Sequence, residues 1–386
     1  MPRIVARYPG LRRAPKYTPK GTTAPGHSFL ELAKGDAMQT LKRIPTITVA
    51  FWRLLFMSRE EIDDFLAAYE FFGNDFISEE HMKSVLGEDY ITIYRRSVRD
   101  RYHVMNFLCA LGDVEKMYSP PLLDETKSPF DNQLMFEKRM VENIRPVLTP
   151  NGRLLDLGSG RGTVAANVHE QTGNGVLGIN IDPTQIEVGQ KMAMKKRYPI
   201  EFVLGDFNEP ETFGHLEEGS FDAAYQVQAL SNVHDKPKFF RSVNRCLRVG
   251  GRYVILAYCR NSHYDRDNPT HYDLMVRTKQ LMAAIYSPLA SELSEWLEDS
   301  GFRVVHSEDL SVKGELSWLV LYGKLEKHFN RIHTWASRLS RYRLLPRGMT
   351  EMLSRFTSNG DAWYEADRLR LIAPAWYIIA DKVRDV

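Results

Sequence analysis

The sequence predicts a doubly wound, Rossmann-like α/β domain, and three observations carry the prediction. From Arg153 onward, short apolar runs alternate with helix-length segments. The first of these runs, Leu154-Leu155, leads directly into a glycine turn, Gly158-Ser159-Gly160-Arg161-Gly162. The chain, 386 residues with 43% hydrophobic side chains, is long enough to bury a sizeable core and to divide into more than one unit.

Residues 1 to about 36 carry Arg3, Arg7, Arg12, Arg13, Lys16 and Lys20 among prolines and glycines, with almost no apolar periodicity. This reads as a flexible or draped arm, and with the apolar stretch up to Met57 it makes a first region, 1–57. Its plain role is solubility. The alternative is contact with anionic lipid headgroups, which would also use Phe51, Trp52, Leu54 and Leu55. Neither a secretory signal nor a membrane span is expected, because Ile44 to Met57 is short and contains Pro45 and Arg53.

Ser58 followed by Glu61 forms a capping box, and Ile62, Phe65, Leu66 and Tyr69 recur at helical spacing, so a helix starts near residue 59. Further helical segments make 58–145 a cap region. The runs Leu154-Leu155, Val176 to Ile179, Phe202 to Leu204, Ala223 to Tyr225, Tyr253 to Leu256 and Val304-Val305 then predict a parallel sheet with helices on both faces, spanning 146–322. Beyond it, 323–386 breaks the rhythm with segments rich in Trp, Tyr, Phe and Arg and reads as a C-terminal appendage.

Lys and Arg number 51 against 49 Asp and Glu, so charge gives no drive toward nucleic acid. Cys109, Cys246 and Cys259 are odd in number and lack metal-ligand spacing, which argues against a disulfide framework or a metal site and for a reducing, intracellular setting.

Glycines at 158, 160 and 162 let backbone approach a ligand, and the helix that follows offers free N–H groups. Such a turn serves nicotinamide, flavin and adenosyl cofactors alike. Three features at successive strand ends separate them. The spacing is G-x-G-x-G; Asn180, followed by Ile181, stands where a ribose hydroxyl would lie, with Gln185 opening the next helix; and Gly205-Asp206-Phe207 offers a carboxylate to an adenine amino group and an aromatic ring to the base. Together they read as an adenosyl pocket without a pyrophosphate cradle.

The Asp156 to Gly162 turn, Gly205-Asp206-Phe207, Phe221-Asp222 and Leu247-Arg248-Val249-Gly250-Gly251 resemble the successive motifs of class I methyltransferases. Tyr264 to Pro269, Ser300-Gly301-Phe302, Ser307 to Leu310, Trp318 and Ala373-Pro374-Ala375-Trp376-Tyr377 are similar to the sterol methyltransferases and their C-terminal domain. The likeness covers roughly residues 58 to 386. It implies S-adenosyl-L-methionine as cofactor, held by Asp156, Gly158, Ser159, Gly160, Asn180, Ile181, Gln185, Gly205, Asp206, Phe207 and Gln226. Met117-Tyr118-Ser119 more weakly resembles the Tyr-Ser of cyclopropane fatty acid synthases, which implies that Tyr118 and Ser119 hold the methionine end. Asn180 departs from the acidic residue commonest in class I enzymes; an amide oxygen still accepts one ribose hydrogen bond, at about 1 kcal/mol net.

Two departures bear on the acceptor. Side-chain (C-24) sterol methyltransferases carry an acidic residue where Gln228 stands, and an aromatic, glycine-rich run where this chain has Gly112 to Tyr118. The nematode-type sterol 4-methyltransferases are expected to differ in this way, so the reading leans to methylation at ring C-4. Gln228 and Asn232 would then hold the C-3 oxygen, with His234, Tyr118 or Tyr102 as base. Each has a plainer reading: His234 as a loop or capping histidine, the tyrosines as half-buried aromatics. The Trp335 to Leu344 stripe reads first as helix packing, and Arg341, Arg343 and Arg347 as a solvated face or a membrane contact. Alternatives are C-24 methylation, another lipid acceptor, an NAD-dependent dehydrogenase and a non-catalytic lipid-binding protein. A sterol or lipid partner, peripheral membrane contact at the cytosolic face of the endoplasmic reticulum or a cytoplasmic location, and a homo-oligomer complete the expectations.

Overall fold

The computed structural model describes residues 49–310 other than 51, 75, 77, 112–115 and 125, and residues 334–386 other than 336 and 343–346. The expected arm, Phe51, Gly112 to Glu115, Trp318, Arg343 and Leu344 lie outside the described residues, and so does the side chain of Arg347.

Ser58 caps α1 (Arg59–Phe71) as expected: its hydroxyl accepts from Glu61 N–H at 3.1 Å and Glu61 accepts from Ser58 N–H at 2.7 Å. α2 (Glu79–Leu86), α3 (Tyr90–Leu111) and α4 (Pro129–Ile144) follow, the last two-fold anchored by a Ser128 cap and Pro129 at its first position. The α/β alternation then runs β1 (Arg153–Leu157), α5 (Thr163–Thr172), β2 (Gly175–Asn180), α6 (Pro183–Lys196), β3 (Ile200–Leu204), β4 (Phe221–Val227), α7 (Lys236–Cys246), β5 (Leu247–Arg260), α8 (Pro269–Met282), α9 (Ala290–Asp299) and β6 (Phe302–Asp309). α10 (Arg347–Arg368) and β7 (Ile372–Lys382) close the chain.

The seven strands are ordered β3-β2-β1-β4-β5-β7-β6. β1 to β5 are mutually parallel, and β7 runs antiparallel to both β5 and β6. Successive strand residues face opposite sides: Leu154 packs with Phe136, Met140 and Val168 beneath α4 and α5, whereas Leu155 packs with Phe239, Phe240 and Val243 of α7. β5 divides the same way, Val254 and Leu256 to one side, Ile255 and Ala257 to the other. Both faces are therefore apolar, which is why the strand sequences show continuous runs.

Two expectations need correction. The sheet is mixed, not wholly parallel, and Ala373 to Tyr377, read as part of an appendage, form the start of a strand inside it. α10 packs on the end of the sheet, Trp363 against Tyr258 of β5 at 5.9 Å between ring centroids, and it also joins the N-terminal cap: Asn359 donates to the Tyr69 hydroxyl of α1 and to Gln280 Oε1 of α8, both at 2.9 Å. Phe221-Asp222 and Leu247-Arg248 prove structural. Asp222 accepts from Arg248 Nε at 2.7 Å and from the Thr149 hydroxyl at 2.7 Å, tying the starts of β4 and β5 to the loop before β1, at the strand ends remote from the glycine turn.

Strand order reverses between β1 and β4, and open α/β sheets bind ligands at that point, beyond the carboxyl ends of the strands. The helical cap, with Phe71, Phe72, Phe76, Tyr94 and Val98 in its own apolar cluster, stands over that edge.

Candidate active site

A cavity lies where topology places a ligand site, walled by the ends of β1 to β4 and by α3. Gly158, Gly160 and Gly162 all adopt positive φ, 89°, 54° and 77°. At two of them a side chain would also collide: a Cβ on Gly158 would meet Ala229 Cβ at 2.4 Å, and one on Gly162 would meet the Phe202 ring at 2.4 Å. The turn is thus held tight between β4 and β3, and Ser159 presents an Oγ with no hydrogen-bond partner among the described residues.

Asn180, Gln185, Asn106 and Asp182 form a relay of one polarity. Asn106 Nδ2 donates to Asp182 Oδ2, Gln185 Nε2 to Asn106 Oδ1 and Asn180 Nδ2 to Gln185 Oε1, each at 2.9 Å. Asp182, which also caps α6 through its other oxygen, can only accept. Every amide upstream is oriented by that constraint, and Asn180 is left with its Oδ1 for a ligand. An acid at 180 would instead face Gln185 Oε1, which explains the departure from the usual carboxylate.

Asp206 lines the same cavity, its Oδ1 accepting from Asn208 N–H at 3.0 Å and from Asn208 Nδ2 at 2.9 Å, with Arg95 Nε at 3.4 Å from Oδ2. Phe207 beside it packs on Phe239 at 5.1 Å between ring centroids. Ile181 and Gly205 also line the wall. Asp156, under the glycine turn, is buried with an unpartnered Oδ2, and burial pushes its carboxyl up to about 8.

Several expected roles are not supported by the placement. Gln226 is fully buried on the side of the sheet that carries Ala224, is absent from the cavity wall, and neither amide atom has a partner among the described residues. Ser119 is likewise outside the wall; its backbone is bound to Gln228. Gln228, at φ 55°, binds backbone through both ends of its amide, accepting from Ser119 N–H and donating to the carbonyls of Ser119 and Pro374, so it has no donor left for a C-3 oxygen. His234 sits behind the wall, edge-on to Tyr94 at 4.5 Å, and its Nε2 has no partner. Burial lowers its pKa to about 4.

Tyr102 and Tyr118 do line the cavity, but both are raised by burial and stay protonated at neutral pH, donors and not bases. Tyr118 already donates to Glu137 Oε1 at 2.8 Å. Asn232 does reach the wall, with a buried Oδ1 free of partners. The sequence reading missed the Lys116–Glu137 pair. Lys116 lines the cavity and donates to both Glu137 oxygens, at 2.7 and 2.6 Å, and both side chains are buried. Among the described residues no group of His, Cys, Asp and Glu could hold a metal ion, and the three cysteines are free and buried.

These walls fit an adenosyl cofactor: an amide oxygen at the ribose position, a carboxylate with an aromatic neighbour at the base, and orphaned Ser159, Asp156 and Asn232 atoms around the remainder. Residues 155–255 match the family described as "Methyltransferase domain". The chain is 26% identical to the sterol 24-C-methyltransferase ERG6A of Gibberella zeae over 60% of its own length and 65% of that protein, and 22% identical to the sterol 24-C-methyltransferase erg6 of Aspergillus fumigatus over the same shares. The match thus spans just under two thirds of these relatives. In fold it resembles a putative sarcosine dimethylglycine methyltransferase from Galdieria sulphuraria (TM-score 0.56, 17% identity, 72% of this chain and 97% of that one). It also resembles the cyclopropane synthase MmaA2 of Mycobacterium tuberculosis (0.55, 14%, 69% and 90%). The fold is that of the class I methyltransferases, and residues 155–255 match the methyltransferase-domain family.

Proposed function

We infer that this chain transfers a methyl group from S-adenosylmethionine to an alkene carbon in the side chain of a sterol. Bound there, the cofactor supplies a methyl already made electrophilic by its sulfonium. Asn180 Oδ1 accepts from a ribose hydroxyl, Asp206 from the adenine amino group, and Phe207 packs on the base. Tyr94, Tyr102 and Tyr118 present aromatic rings on the cap side of the cavity.

The observation that carries the choice of carbon is that, among the described residues, the carboxylates of that wall, Asp156 and Asp206, lie with the glycine turn and the adenine position, and none of the groups expected to act on the acceptor is placed as a base. Methylation beside a ring ketone needs a group to remove a proton and form an enolate first. Here all three wall tyrosines are held above their ordinary pKa by burial, His234 lies behind Tyr94, and Gln228 is committed to backbone. An alkene needs less. Its π electrons form the new carbon–carbon bond, the neighbouring carbon becomes cationic, and that cation loses a proton from an adjacent carbon to solvent; aromatic faces stabilise the charge meanwhile. The preference for ring C-4 rested on two departures, at Gln228 and in Gly112 to Tyr118; the hydrogen bonds of Gln228 remove the first, and Gly112 to Glu115 lie outside the described residues. The similarity to proteins named sterol 24-C-methyltransferases favours the side chain as well.

The test is methyl transfer from labelled S-adenosylmethionine to three acceptors: a sterol with a side-chain double bond, a 3-keto sterol with a saturated side chain, and an unsaturated fatty acid. Label in the first alone, located on the side chain by NMR, is the expected result. Label at C-4 of the second, or in the fatty acid alone, overturns it.

A further inference from the structure

The helical residues 49–50 and 52–55 are apolar on both sides. Ala50, Leu54 and Met57, spaced as one helical stripe, are buried. Val49, Trp52 and Phe56 form the opposite stripe and are 61, 50 and 74% exposed, with Trp52 and Phe56 stacked at 5.6 Å. A helix that serves only to cover a core has no use for the second stripe. Leu54 and Leu55, expected from sequence to meet lipid, instead turn inward.

A second helix repeats the pattern. In residues 334–342, Leu339 packs on the same small core as Leu54 and Met57, while Trp335 and Tyr342 are 64 and 73% exposed and Arg338 and Arg341 are exposed among them. Neither segment contains an acidic residue, and residues 1–48, which lead into the first helix, carry nine Lys and Arg against Glu31 and Asp36 alone.

From this juxtaposition we propose that the two helices form a docking surface for a bilayer containing anionic lipid, with Phe56, Trp335 and Tyr342 at headgroup depth and the arginines on the phosphates. Trp and Tyr beside Arg, on short helices without an acidic residue, is the composition that the membrane interface selects. A second copy of the chain fits less well, since a two-fold contact through this face would bring like charges together. Among the described residues no helix is long and apolar enough to cross a membrane, so the contact is peripheral. The leaflet such a surface suits is the cytoplasmic one, where anionic lipids concentrate. The proposal does not depend on which acceptor carbon is methylated.

The experiment is co-flotation of the full chain with vesicles of phosphatidylcholine, with and without phosphatidylserine, for the wild type, Phe56→Ser/Trp335→Ser/Tyr342→Ser, and Arg53→Glu/Arg338→Glu/Arg341→Glu. Binding to the phosphatidylserine vesicles, falling on the order of tenfold or more in each variant and on raising salt, is expected, with the thermal shift on adding S-adenosylmethionine retained. The two variants change different residues, so loss of folding in one leaves the other decisive. Wild type that stays off both vesicles, variants that bind like wild type, or a concentration-dependent dimer that the aromatic variant abolishes would each overturn the proposal.

Discussion

The side chain of Gln228 and the backbone of Ser119 exchange two hydrogen bonds, Oε1 accepting from the Ser119 N–H and Nε2 donating to the Ser119 carbonyl, each at 2.9 Å. With the third bond, to the Pro374 carbonyl at 2.8 Å, one amide pins the end of β4 to the Tyr118-Ser119 loop and to the start of β7. It does so from a left-handed backbone conformation that a non-glycine residue adopts only under constraint. Gln228→Glu keeps the acceptor and removes the donor, leaving two carbonyls facing a carboxylate. A loss of about 2–3 kcal/mol in urea unfolding is expected. The product of methyl transfer stays the same by mass spectrum and NMR, because position 228 does not read the acceptor.

The buried Lys116–Glu137 pair holds the opposite wall. Glu137 also accepts from Tyr118 and Asn167, so four hydrogen bonds from three donors converge on it. Removing one charge strands the other in a medium that solvates it poorly. Glu137→Leu is expected to cost about 3–5 kcal/mol, whereas Lys116→Met/Glu137→Leu recovers much of that loss. A double-mutant cycle by denaturant unfolding checks it; a loss in the double variant equal to the sum of the two single losses would show that the pair is not coupled.

Two buried groups give stability opposite dependences on pH. His234 has its pKa lowered by burial to about 4, so its contribution is whole above the ordinary histidine value of 6.5 and is lost as pH falls toward 4. Asp156 is raised to about 8 from 3.8, so its contribution is whole below pH 4 and is lost as pH rises toward 8. In the shared window the two slopes oppose. Melting temperature of the cofactor-free protein should therefore fall between pH 6.5 and 8 through Asp156, a fall that Asp156→Asn flattens. His234→Phe, which keeps a ring between Tyr94 and Tyr286, should flatten the acid side, worth on the order of 3 kcal/mol. Methyl transfer at neutral pH should survive that substitution.

What could be read in advance was whatever is local. The capping box at Ser58, the glycine turn and the strand ends at Asn180 and Asp206 each write their signal within a few residues, and they lie where expected. β7 could not be read, because Ala373 to Tyr377 acquire their place by pairing with β5, more than a hundred residues away. Glu137 looks in sequence like any charge on a helix; only the approach of Lys116 reveals it as buried. Gln228 and His234 were misjudged for one reason. A polar residue after the fourth strand has the same one-dimensional signature whether it faces a substrate or the protein's own interior, and only its surroundings tell which: backbone hydrogen bonds for Gln228, the rings of Tyr94 and Tyr286 for His234.

The amide relay makes a prediction that the usual chemistry of ribose binding would reverse. A carboxylate accepts from both ribose hydroxyls, so Asn180→Asp would ordinarily be expected to tighten the cofactor. In this chain the new carboxylate would face Gln185 Oε1, and relieving that clash by turning Gln185 and then Asn106 would drive Asn106 Oδ1 against Asp182. The conflict moves along the relay and cannot leave it, since Asp182 has no donor and is held as the cap of α6. Asn180→Asp should thus weaken S-adenosylmethionine by about tenfold in calorimetric titration, matching roughly 1–2 kcal/mol for one unsatisfied buried contact. Asn180→Asp/Asp182→Asn supplies a donor at the far end and lets all the amides turn together. The double variant should then bind at least as tightly as wild type, and equal weakening in both would show that the relay does not set the polarity of the ribose contact.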